Sequence, residues 1–204
     1  MRHLFGTLYL GALLTLSTPG QADPAVKLTV RHDEGVKEYQ GRAIRGKEVK
    51  TTASSVLCEK TGFCHQPDRL VDGRKETAWC EGAPGKGVGQ SVVLQLSRPR
   101  RITSIAFLPF YAKNKKVLFG NAQVKELEIA TDEGRFLVAF SAEDPASTFA
   151  GNQLDHSFPY VELTTDPRVR HAITTQRVEL TVKAVHSGRA FEDLCMSEVT
   201  LYAR

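Results

Sequence analysis

Leu70-Val71-Asp72-Gly73-Arg74-Lys75-Glu76-Thr77-Ala78-Trp79-Cys80-Glu81-Gly82 is the most informative segment of this 204-residue chain. Asp72-Gly73 is turn chemistry: an Asp side chain accepts from backbone N–H groups just downstream, and Gly permits the tight backbone. Thr77 follows the Asp by five residues, and the only Trp stands at 79, beside Cys80. An answering segment, Leu194-Cys195-Met196-Ser197-Glu198-Val199-Thr200-Leu201-Tyr202, places a Ser-Glu pair at the head of an alternating strand.

Outward from these blocks the dominant hydrophobic period is two. It runs through Val26, Leu28 and Val30; Val92, Leu94 and Leu96; Ile105 and Phe107; Leu127 and Ile129; Phe136, Val138 and Phe140; Val161 and Leu163; Val178, Leu180 and Val182; and Val199 and Leu201. Pro84-Gly85-Lys86-Gly87, Asp132-Glu133-Gly134 and Ser187-Gly188 supply turns between the runs. About eight short strands with polar connections predict an all-β fold, an antiparallel two-sheet β-sandwich. No segment sustains helical spacing, although one turn of helix is expected near Gln66 to Leu70. There is no internal repeat and no low-complexity tract.

Arg2 and His3 precede an apolar run from Leu4 to Leu16, followed by small residues at Gly20 and Ala22. This predicts a cleaved signal peptide over residues 1–22, its apolar run too short to span a bilayer. The mature chain is then expected to be secreted or periplasmic, with no membrane insertion. Residues 23–48 carry little apolar content beyond their first strand and are expected to form an N-terminal extension; residues 49–204 form the domain. The formal net charge of +4, one less without Arg2, is too mild to argue for nucleic acid, which needs a concentrated basic face.

Cys58, Cys64, Cys80 and Cys195 are an even set, and in an exported chain disulfides are the default. Three pairings are possible. Cys58–Cys64 is the local choice, leaving Cys80 for Cys195. In the chain-entropy model the long bridge constrains the unfolded state by about 4.8 kcal/mol and the short one by about 2.4 kcal/mol, as upper values. The rival is a Cys/His metal site using His65, but zinc sites of that kind show two close-spaced ligand pairs, and here Cys80 and Cys195 stand alone.

The Asp72 block and the late Ser197-Glu198 strand, in this order and spacing, resemble the discoidin-like (galactose-binding-like) β-sandwich. Within it they are most similar to the glycan-binding domain associated with NAD glycohydrolases. The resemblance covers about Lys50 to Tyr202 and implies binding rather than catalysis. It implies a structural calcium site in which Asp72 gives a carboxylate, Thr77 a hydroxyl and carbonyl, and Glu198 a carboxylate from the last strand, since calcium takes six to eight oxygens. Leu70, Arg74 and Cys195 would offer carbonyls. The alternative is that Asp72 only caps its turn and Glu198 pairs with Arg74 or Lys75. For carbohydrate the resemblance points to Tyr111, Lys113, Asn114 and Asn121: a ring to stack on a sugar, and donors for its hydroxyls. The alternative is a solvated loop around Lys113, Lys115 and Lys116 with Tyr111 packed under it. Pro109-Phe110 stands where the family often has Gly before the aromatic. Trp79, entering a strand beside a cysteine, is expected in the core.

A catalytic reading finds no constellation. His32, His65, His156, His171 and His186 are scattered, with no His-x-x-x-His or Gly-x-Ser-x-Gly. Gly85-x-Gly87-x-Gly89 leads into a strand, so it offers no helix N-terminus to a phosphate. Glu192 and Asp193 are adjacent and point apart on an extended chain. The expectation is a non-enzymatic, exported carbohydrate-binding module with a glycan or cell-surface partner. The alternative is a periplasmic or secreted protein-interaction module on the same fold.

Overall fold

The computed structural model describes residues 25–28, 41–143, 149–150, 153–154, 160–162 and 172–204. The expected signal peptide, Val30, Leu163, His32, His156 and His171 lie outside the described residues. Strands are β1 (Val26–Leu28), β2 (Arg42–Ile44), β3 (Val49–Ala53), β4 (Trp79–Cys80), β5 (Ser91–Leu108), β6 (Gln123–Thr131), β7 (Gly134–Ala139), β8 (Phe149–Ala150), β9 (Gln153–Leu154), β10 (Tyr160–Glu162), β11 (Ile173–His186), β12 (Cys195–Met196) and β13 (Glu198–Ala203). A 3₁₀ turn covers Pro67–Val71, close to the expected helical turn, and a short helix, α1, covers Lys115–Gly120.

The two sheets are joined by one long strand. The first half of β5 lies between β3 and β11: Leu94 faces Thr51 on one side and Val178 on the other. The second half lies between β10 and β13: Ile105 faces Val161 and Leu201. Beyond β11 the first sheet continues through β6, β7 and a parallel β1; beyond β13 the second adds β2. The crossover is Ser97 to Arg101, where Pro99 cannot donate to a ladder and the side chains are polar. Alternation therefore breaks there, and the one strand reads as two in sequence. Leu94, Ile105, Leu127, Ile129, Val138, Val161, Val178, Val199 and Leu201, all fully buried, fill the interior between the layers.

Two boundaries differ from the sequence reading. Residues 41–48 are not an extension: β2 pairs with β13, and Ile44 is 1% exposed in the core. Three strand residues with one buried side chain give too short a pattern to register as alternation. Helix α1 occupies what reads as a solvated loop, because six residues make under two helical turns and cannot show a period.

Both disulfides form, Cys58–Cys64 and Cys80–Cys195. Cys195 faces Cys80 directly across the β4–β12 ladder, so the second bridge staples the Trp block to the chain's closing segment. Trp79 is core, 1% exposed, with its indole N–H donating to the Ser55 carbonyl at 3.0 Å.

Candidate functional site

The Ser-Glu pair at the head of β13 organises one end of the sandwich. Buried Ser197 donates its backbone N–H to the Leu108 and Phe110 carbonyls, while its hydroxyl accepts from Ala112 N at 2.9 Å. This pins the loop carrying Tyr111. Glu198, also buried, accepts from Gly73 N at 3.3 Å and so holds the Asp72 turn. Gly73 adopts φ 79°, a conformation costly for any residue with a Cβ. Both oxygens of Asp72 are engaged, one accepting from Arg74 N at 2.8 Å and the other from the Thr77 hydroxyl at 2.7 Å. The Thr77 hydroxyl also lies 2.9 Å from the Arg74 carbonyl.

The structure thus brings Asp72, Thr77 and Glu198 together. Asp72 caps its turn in the manner of the simpler reading, but Glu198 pairs with the turn's backbone rather than with the Arg74 or Lys75 side chain. Its second oxygen, Oε2, is buried with no hydrogen-bond partner. Burial pushes the Glu198 carboxyl up to about 8; the Asp72 charge adds to the rise, while the Gly73 N–H and the Arg45 charge oppose it. Among the described residues no group of three or more His, Cys, Asp or Glu side chains converges as a metal site. A cation here would need hydroxyl and carbonyl oxygens beside the two carboxylates.

The expected sugar-binding residues are placed otherwise. Tyr111 is 8% exposed, packed with Ala78, Cys80 and Cys195, and therefore offers no open face for stacking; burial raises its hydroxyl pKa. Asn114 is the N-cap of α1, its side chain accepting from Val117 N at 3.1 Å. Asn121, buried at the other end, donates to the Val117 carbonyl at 2.7 Å. These two hold the helix. Lys113 is exposed at the border of the loop.

An exposed aromatic does exist nearby. The Cys58–Cys64 bridge closes a tight reversal in which Glu59 N donates to Phe63 O at 2.8 Å, and His65 N to Leu57 O at 2.9 Å. A seven-residue loop closed by a disulfide cannot bury a ring inside itself, and Phe63 is 44% exposed. The Arg69 guanidinium, from the 3₁₀ turn, lies 4.5 Å from the Phe63 ring centroid, and His65 meets that ring edge-on at 5.1 Å. His65 Nε2 sits 3.1 Å from Glu59 Oε1, and the His65 ring in turn meets Tyr111 edge-on at 5.8 Å. Arg69 Nε and His65 Nδ1 are buried without hydrogen-bond partners, and among the described residues no carboxylate pairs with Arg69. The sequence signal for this site is Gly62-Phe63 among the five residues between Cys58 and Cys64.

A glycine-rich connection borders the same end. Gly87 adopts φ 79°, and a Cβ there would stand 2.7 Å from Leu194 Cβ, so it serves close packing beside the β4–β12 ladder rather than phosphate binding.

The family model described as the NAD glycohydrolase translocation F5/8 type C domain matches residues 39–202. Similar solved structures include the family 32 carbohydrate-binding module of C. perfringens NanJ in complex with galactose, at 20% identity and TM-score 0.52, covering 78% of this chain and 97% of that one. CBM32-5 of CpGH89 from Clostridium perfringens, in complex with GalNAc-β-1,3-galactose, is 19% identical with TM-score 0.51, covering 79% and 100%. CBM32-3 from a family 31 glycoside hydrolase of the same organism is 17% identical with TM-score 0.51, covering 79% and 95%. At these identities the likeness establishes the sandwich fold. No curated protein sequence matches the chain.

Proposed function

This chain belongs to the NAD glycohydrolase translocation F5/8 type C domain family, and from that premise we propose that it is a non-catalytic carbohydrate-binding module whose site is the Phe63 hairpin. The observation that carries the reading is the Arg69 guanidinium, unpaired with any described carboxylate, stacked on an exposed Phe63 beside the Glu59–His65 pair. A sugar presents an apolar C–H face and a rim of hydroxyls. Phe63 answers the first. The remaining Arg69 N–H groups donate to hydroxyls, and Glu59, 50% exposed at its side chain, accepts from them. The disulfide and the 3₁₀ turn fix the groups in advance, which lowers the ordering cost of binding.

Terminal galactose and N-acetylgalactosamine are the first ligands to try, since similar folds were solved with them. One exposed ring and a few hydrogen bonds, each worth about 0.5–1.5 kcal/mol net, set the affinity at roughly the millimolar to high-micromolar range, about 4–6 kcal/mol. A multivalent display would raise it. Two disulfides suit an oxidising compartment, so the module works outside the cytosol. No described helix is long and apolar enough to cross a membrane.

A calcium ion would complete the other half of this end. Asp72, Thr77 and Glu198 would hold it, with the Arg74 carbonyl, and the partnerless Glu198 Oε2 is the group that calls for a cation. Bound there, calcium would supply structural charge balance, fixing the turn that follows the Arg69-bearing segment to the last strand. Its own residues already set the turn: Asp72 caps it and Glu198 anchors Gly73.

Isothermal titration of galactose and N-acetylgalactosamine into the wild type and Phe63→Ala tests the proposal. Binding by the wild type, lost in Phe63→Ala at unchanged melting temperature, is the expected result. Equal binding by both would move the site elsewhere, and no binding of these sugars or of an arrayed glycan panel would favour a protein ligand.

A further inference from the structure

The sandwich carries a second charged surface at the end opposite the hairpin. Both halves of β5 run between the two ends: Ser91, at its start, accepts from Ser54 N beside the Trp block, and Leu108, at its finish, pairs with Glu198. The turn-over at Ser97-Arg98-Pro99-Arg100-Arg101 is therefore at the far end. Arg98 and Arg101 are exposed there and Arg100 half-buried. Arg42 joins them from β2, which reaches the same end through its pairing with Ala203.

Among the described residues, the side-chain carboxylate in contact with these guanidiniums is Glu48. Glu48 takes a two-pronged contact from Arg42, at 2.6 Å on each oxygen, and a third from Arg100 at 3.3 Å. Its carboxyl is held below the usual range, first by the Arg42 hydrogen bonds, with Arg100 and Arg98 contributing charge. Asp132 and Glu133 lie beyond β11, where they accept from Thr175, Gln176 and Thr174. Arg177 is paired with Glu179. Among the described residues Arg98 and Arg101 have no carboxylate within ion-pair distance, and Glu48 shows in place how the rim grips one: forked on Arg42, touched by Arg100.

We propose that this arginine rim is a second binding surface, for an acidic polysaccharide bearing carboxylate or sulfate groups. The chemistry of the surface selects that partner over a bilayer. Membrane-docking faces combine cations with apolar side chains that enter the interface. Among the described residues the exposed large hydrophobics are Val26, Phe63, Val88 and Phe191. Phe63 belongs to the opposite end, Val88 lies in the Gly-rich connection before Ser91, Phe191 packs on Gly120 of α1, and Val26 is on β1, four strands from β5. A rigid polymer with repeated anions can span Arg98 to Arg42, while a neutral sugar gains nothing from them. Two surfaces at opposite ends would let the module bridge an acidic matrix and a separate glycan.

The test uses the full chain on immobilised heparin and polygalacturonate, with neutral dextran and anionic phospholipid vesicles as comparison arms, over a salt series. The expected result is retention on both acidic polymers, not on dextran, weakening as salt screens the charges. Arg98→Gln with Arg101→Gln should bind about tenfold more weakly, a change of about 1.4 kcal/mol. Glu48→Gln frees Arg42 and Arg100 and should bind more tightly, so the two variants move in opposite directions. Phe63→Ala should leave polymer binding unchanged, which separates this surface from the sugar site. Wild-type binding by the double variant, weaker binding by Glu48→Gln, no retention at low salt, or a preference for vesicles would each overturn the proposal.

Discussion

Removing the charge of Glu198 should make the protein more stable at neutral pH, provided divalent cations are absent. The folded-state pKa is about 8 against 4.5 in the ordinary state. Between those values the unfolded chain has lost a proton that the folded chain keeps. Stability attributable to this group is therefore fully present below pH 4.5, falls as pH rises, and levels off above pH 8. Each unit is worth 1.36 kcal/mol, so the decline from pH 5 to 8 is at most about 3 kcal/mol, because hydration at the loop end screens part of it. Glu198→Gln keeps an acceptor for the Gly73 N–H and cannot ionise. Urea unfolding in chelator at pH 5, 6, 7 and 8 reads the effect as the difference between wild type and variant, which cancels Glu81, whose buried carboxyl is also raised, chiefly by desolvation. The expected curves converge at pH 5 and separate by up to about 3 kcal/mol at pH 8, with the variant more stable. Added calcium should raise the wild type, flatten its pH dependence and leave the variant unmoved. Parallel curves in chelator would refute the reasoning: Glu198 would then be ionised in the folded state, satisfied by Arg45, and no cation would be called for.

Three further outcomes follow from packing and covalent geometry. Trp79→Ala, which empties the core and orphans the Ser55 carbonyl, should cost about 3–5 kcal/mol in denaturant unfolding. Replacing Cys58 and Cys64 by Ala should cost at most about 2.4 kcal/mol of stability yet abolish sugar binding in titrations, because the loop holding Glu59 and Phe63 loses its closure. Asn114→Ala should lower stability by about 1 kcal/mol through the lost N-cap, while sugar affinity, measured by the same titration, stays at the wild-type value.

The layers were legible because alternation survives wherever a strand has one buried face, as in Leu127-x-Ile129 and Val178-x-Leu180-x-Val182. The pairing of cysteines was legible from their even number and the short Cys58–Cys64 interval. The Ser197-Glu198 pair marked the head of the last strand, but that Ser197 holds the Tyr111 loop and Glu198 the Gly73 backbone needed three dimensions to see. The proposed sugar site was not legible in the same way. Tyr111 sits in a polar-looking stretch, but the β4–β12 disulfide packs beneath that loop and buries its ring. Phe63 and Arg69 acquire meaning only when the 3₁₀ turn folds one over the other. The basic rim was hidden by a mild net charge: four arginines from two distant segments meet only because β5 turns over at Pro99.

Whether this fold holds a sugar on the Phe63 hairpin is read by mapping backbone amide shifts during a titration with galactose and N-acetylgalactosamine. Saturable shifts confined to Glu59, Phe63, His65, Arg69 and the adjoining Tyr111 loop are expected, at roughly millimolar to high-micromolar ligand. Shifts centred on Lys113, Asn114 and Asn121 with a silent hairpin, or no shifts at saturating sugar, would contradict it.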